Sequence, residues 1–169
     1  MTRLTLSLMT VVLTFMTATA QQLPGTWTHN LSQSGLTTQS RFHFNADQTL
    51  HVDVKADLNR SDIGDISCHG GVDGVWEQRD SVLTINLDME SFDLEFDHME
   101  FAPAIAELIG QGSAYSSRLS QTARSVVAGG LRREFGDGDG ITLRITVLTD
   151  RQLQVRNDRT RHTLDFSRE

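Results

Sequence analysis

Apolar and polar residues alternate along this chain with a period of two, in short runs separated by turn-forming residues. That period belongs to a strand with one buried face and one wet face. Phe42 and Phe44 alternate with Arg41 and His43, and the stretch Asn45-Ala46-Asp47-Gln48-Thr49 follows as a turn. Leu50, Val52, Val54 and Ala56 then alternate with His51, Asp53, Lys55 and Asp57. Pairing Asn45 with Thr49 sets Phe44 opposite Leu50 and Phe42 opposite Val52. Both strands then present their apolar residues to one face, as a β-hairpin requires.

The rhythm recurs. Gly74-Val75-Trp76-Glu77 leads through Arg79-Asp80-Ser81 into a run where Leu83, Ile85, Leu87 and Met89 alternate with Thr84, Asn86 and Asp88. Phe92, Leu94 and Phe96 continue it against Asp93, Glu95 and Asp97. Ile141, Leu143, Ile145 and Val147 alternate with Thr142, Arg144 and Thr146. Residues 152–157 and 162–167 form the last two strands. With residues 23–31 at the start, this gives about eight strands with short links. A meander of eight antiparallel strands closes into an up-and-down barrel, which leaves no free edge. The expected fold is therefore mainly β, with one helical insertion between strands 5 and 6. Residues 102–133 are the Ala- and Ser-rich insertion, with Pro103 suited to a first helical position and a short helix over residues 104–109. A second helical spacing runs through Tyr115, Leu119, Ala123 and Val126.

Residues 1–20 read as a cleaved signal peptide. Arg3 is their only charge, an apolar run spans residues 4–16, and Ala18-Thr19-Ala20 is a small-x-small cleavage site. The mature domain would be residues 21–169, in the periplasm or secreted. The junction has no Cys, so lipid anchoring is not expected, and the single Cys68 cannot form an internal disulfide. The chain carries a formal net charge of −7, unevenly distributed. Residues 21–117 hold fifteen acids against four bases, whereas residues 118–169 hold ten Arg against seven acids. The acidic balance argues against nucleic acid as a partner. Arg118, Arg124, Arg132 and Arg133 make the insertion basic. It is expected to fold over the acidic strand or the barrel mouth, with anionic lipid or a partner as the rival contact.

Leu23-Pro24-Gly25-Thr26-Trp27 resembles the opening Gly-x-Trp strand of lipocalin-like (calycin) barrels, as found in small secreted bacterial domains. Phe42-x-Phe44-x-x-Asp47-x-Thr49 resembles their second hairpin, with Gln48 where Gly is more usual. Gly74-Val75-Trp76 with Leu83-Thr84-Ile85, and the segments 148–153 and 166–168, resemble later strands. The resemblance implies that Gly25, Trp27 and Arg168 are structural, with Arg168 stacked on the Trp27 indole at the closed base. The helical stretch departs from the family, whose main helix follows the eighth strand.

The function expected from this reading is binding of a small apolar or amphipathic ligand inside the barrel. Trp27, Phe42, Phe44, Val52, Val54, Leu83, Ile85, Leu143 and Ile145 would line the interior. The alternative is a barrel filled by those same side chains, acting as an interaction module through its outer face or its insertion. A hydrolase or isomerase with dispersed catalytic residues is third. No catalytic or cofactor motif occurs in the sequence. His43 and His51, opposite each other on the hairpin's polar face beside a paired Arg41 and Asp53, are the candidates for a metal; a solvated polar face is the preferred reading. Cys68 and His69 are strand neighbours that point to opposite faces, which argues against a thiol–imidazole pair. The acidic run from Asp88 to Glu100 reads as the polar face of a strand.

Overall fold

The computed structural model describes residues 23–109, 121, 125 and 140–169. Eight antiparallel strands close into one barrel in sequence order, so each strand neighbours the next and β8 returns to β1. The strands are β1 (Gly25–Gln33), β2 (Leu36–Phe44), β3 (Thr49–Arg60), β4 (Gly64–Arg79), β5 (Val82–Phe101), β6 (Ile141–Leu148), β7 (Gln152–Asn157) and β8 (Thr163–Arg168). A short helix, α1 (Pro103–Ile109), lies between β5 and β6, as the Pro103 and 104–109 pattern predicts. Gln121 and Ser125 have helical backbone. The rest of the insertion and residues 1–20, where a signal peptide is expected, lie outside the described residues.

The β2–β3 hairpin has the register expected from its alternation, with Phe44 opposite Leu50 and Phe42 opposite Val52. Asn45 N–H donates to the Thr49 carbonyl at 3.0 Å, and Asp47 accepts from the Thr49 N–H and hydroxyl. Gln48 takes φ 69°, a left-handed conformation that explains why glycine suits this position.

The walls differ in height. β6, β7 and β8 have 8, 6 and 6 residues, while β3, β4 and β5 have 12, 16 and 20. Alternation locates the short strands well, but it leaves residues 58–73 unread. There β3 runs on to Arg60 and β4 begins at Gly64. Paired glycines at 70 and 71 and mixed polarity hide that part of β4. The acidic run is also less regular than its alternation suggests. The β4–β5 register jumps from Asp73–Asp88 to Gly71–Asp93, so residues 89–92 bulge. Ser91 Oγ ties the bulge down, accepting from the Asp73 N–H and donating to the Asp88 carbonyl. The bulge shifts the inward parity, so Leu87 and Leu94 are both buried.

The core sits at the closed base. Trp27, Phe42, Phe44, Leu50, Val52, Val72, Trp76, Leu83, Ile85, Leu143, Leu153, Val155 and Phe166 are buried in one cluster. Aromatic rings form its centre. Phe42 meets Phe166 edge-on at 5.1 Å, and Phe44 meets Trp76 edge-on at 5.5 Å. Each such pair contributes about 1 kcal/mol beyond the area it buries.

Candidate functional site

At the base, the Trp27 indole N–H donates to the Leu23 carbonyl at 2.7 Å. The Arg168 guanidinium carbon lies 4.9 Å from the Trp27 ring centroid, and the same side chain donates to the Pro24 carbonyl. Gly25 permits this approach. Its φ is +139°, and a Cβ there would lie 2.8 Å from Arg168 Nη2. This end is tied shut and has the geometry of a structural plug.

The nine side chains expected to line a ligand cavity divide by position. Trp27, Phe44, Val52, Leu83, Ile85 and Leu143 are buried in the packed cluster, and Val54 and Ile145 pack partly buried against it. Phe42 belongs to the cluster and also borders open space. Above it, toward the opposite end of the barrel, lies a cleft of about 430 Å³. Phe42, Phe166, Leu164 and Leu31 give it apolar surface, while His29, Gln33, Thr38, Ser40, His162 and Thr163 give it polar groups. Sequence reasoning missed these residues except Phe42. Their signal was parity: His29, Leu31 and Gln33 share the inward face of Trp27, and Ser40 and Thr38 share that of Phe42.

The cleft exists because the barrel seam is short. β1 pairs with β8 only through Trp27–Arg168 and Thr28–Ser167. Beyond Thr28 the strands part, and His29 Nδ1 reaches across to the Asp165 carbonyl at 2.8 Å. At the top of β7, buried Asn157 accepts from the N–H groups of Arg159 and Thr160, closing the link to β8. Its Nδ2 has no partner among the described residues.

The outer face carries a second polar grouping. His43 and His51 are register partners with ring centroids 6.1 Å apart, as the hairpin pattern predicts. Asp53 joins them, with oxygens 2.8 Å from His43 Nε2 and 3.3 Å from His51 Nε2. His51 Nδ1 also meets Asp73 at 2.6 Å, and this hydrogen bond raises the imidazole above its ordinary range, with Asp53 assisting. Among the described residues, no three His, Cys, Asp or Glu side chains are arranged to hold a metal ion. Arg41 stands opposite Asp53 in register, yet its guanidinium goes to Glu169 at 2.8 Å. Glu169 is the better partner because Thr28 Oγ1 donates to the same carboxylate oxygen, which also holds Glu169 below the usual carboxylate range. Barrel closure brings the end of the chain to this place.

Cys68 is buried on the inner face of β4, and burial pushes its thiol up, away from a reactive thiolate. His69 points outward to Asp97 at 2.8 Å, which raises its imidazole pKa. The two side chains are therefore apart, as strand geometry requires. Neither a scan against protein-family models nor a search of curated proteins finds a match to this chain.

Proposed function

We propose that this protein is an exported, lipocalin-like barrel that binds a small apolar or amphipathic molecule in the cleft at its open end. The observation that carries this reading is the cleft itself: a floor of Phe42 and Phe166, apolar walls at Leu31 and Leu164, and polar groups around them. Ligand sites commonly combine such an apolar lining with a few placed polar groups. The packed base restricts a ligand to the upper part of the barrel, so the cavity is shallower than the full set of inward residues suggests. Kinship with lipocalin-like barrels rests on the strand order and on the Trp27–Arg168 contact at the closed base. The leader at residues 1–20 supports export to the periplasm or beyond.

Binding of N-phenyl-1-naphthylamine, a neutral apolar dye, tests the reading. The native protein is expected to raise the dye's fluorescence saturably. Ser40→Phe, which adds a ring inside the cleft, is expected to weaken binding at least about tenfold. A native protein that leaves the dye dark, or a variant that binds it equally well, would count against the cleft. The first residue of the protein recovered outside the cytoplasm tests export, with Gln21 expected.

A further inference from the structure

His29 stands on β1 just beyond Thr28, where pairing with β8 ends. Its Nδ1 lies 2.8 Å from the Asp165 main-chain oxygen. A carbonyl oxygen has no proton to give, so Nδ1 carries the hydrogen and donates it. In the neutral form of a ring held this way, the lone pair lies on Nε2. Phe166 steadies the ring, with centroids 5.4 Å apart and planes tilted by 48°. His29 lines the cleft, and its Nε2 has no hydrogen-bond partner among the described residues. Among the described residues, no Asp, Glu, Lys or Arg borders the cleft, which His162 also lines. The Asp165 carboxylate is engaged elsewhere, accepting from Gln154 Nε2 at 2.7 Å. The cleft thus offers a held acceptor beside an apolar floor, with no Asp, Glu, Lys or Arg side chain among its described lining.

We propose that His29 Nε2 selects ligands whose polar head donates a hydrogen bond, the simplest being an aliphatic alcohol. This inference rests on the cleft being the ligand site. An alcohol can satisfy Nε2 while its chain lies on Phe42 and Phe166. An ether of the same size has no proton to give and would cover Nε2 without pairing it. Leaving a polar group unpaired in a closed contact is an effective way to reject a near-isostere.

Displacement of N-phenyl-1-naphthylamine by two isomers, 1-octanol and heptyl methyl ether, tests the inference. The alcohol-to-ether affinity ratio of the native protein is expected to fall about tenfold in His29→Phe, which keeps a ring against Phe166 but offers no acceptor. His29→Gln, whose carbonyl oxygen accepts, is expected to hold a ratio nearer the native one. A readout needing no variant is the His29 Nε2 nitrogen resonance, expected to move with 1-octanol and to stay in place with the ether. Displacement by both compounds with the same ratio in native and His29→Phe protein, or an unmoved Nε2 resonance with 1-octanol bound, overturns the inference alone. Failure of both compounds to displace the dye overturns the cleft reading and takes the inference with it.

Discussion

At the base of the barrel the inward positions of β1 and β2 are Trp27, Phe42 and Phe44; two to four residues further along the same strands they are His29, Leu31, Ser40 and Thr38. The backbone pattern is continuous from one end to the other, but the side chains are not. Large rings fill the base until Trp27 has no exposed surface. Smaller and more polar groups leave space above it, and Leu31 remains 47% exposed although it shares the inward face. A strand's period of two says which way a residue points. Whether that direction leads into packed core or open cleft depends on how far its neighbours extend.

The largest test of this contrast is truncation at each end. Trp27→Ala is expected to cost about 3–5 kcal/mol in urea unfolding, because it opens a cavity among rings that cannot collapse. Leu31→Ser, on the same face of the same strand, is expected to cost under about 0.5 kcal/mol. Equal losses would break the distinction between base and mouth. Arg168→Ala removes the cation over Trp27 and the donor to Pro24, with an expected loss of about 1–2 kcal/mol and a changed Trp emission. Smaller again is Gln48→Gly, which relieves the left-handed backbone in the turn beside the base. Its expected gain is about 0.5–1 kcal/mol, read as a higher Tm.

The smallest effect belongs to the outer face. Asp73 raises the His51 pKa in the folded state from the ordinary 6.5. Folding therefore favours the protonated ring, and this contribution is complete below the unfolded value and fades as pH rises through the folded one. Asp73→Asn is expected to lower Tm most on the acid side of neutrality, with the difference shrinking in alkaline buffer. The groups are well exposed, so solvent screening keeps the effect well below about 1 kcal/mol. A Tm difference that grows with pH would contradict this assignment.

Much of the barrel is legible in the sequence. The hairpin around Asn45–Thr49 could be registered residue by residue, because a short turn leaves few pairings that keep Phe42 and Phe44 on the face of Leu50 and Val52. The stacking of Arg168 on Trp27 is implied by the resemblance to lipocalin-like barrels, and the observed contact agrees with it. The candidate site was far less legible. Phe42 is expected among the lining residues, borders the cleft and also serves the core, whereas His29, Ser40 and Leu164 carry no signal as lining residues because each is ordinary in its own strand. The bulge at residues 89–92 was hidden because apolar and acidic residues alternate plausibly on both sides of it.

What the chain determines locally is the strands, their two faces and the tightest hairpins. These depend on side chains a few residues apart, and the alternation records them directly. Tertiary structure alone decides that Glu169 takes Arg41 from Asp53, that β1 and β8 part after Thr28, and that a cleft opens above Phe42. Each depends on the height and register at which strands distant in sequence meet, and a period of two is the same at every height.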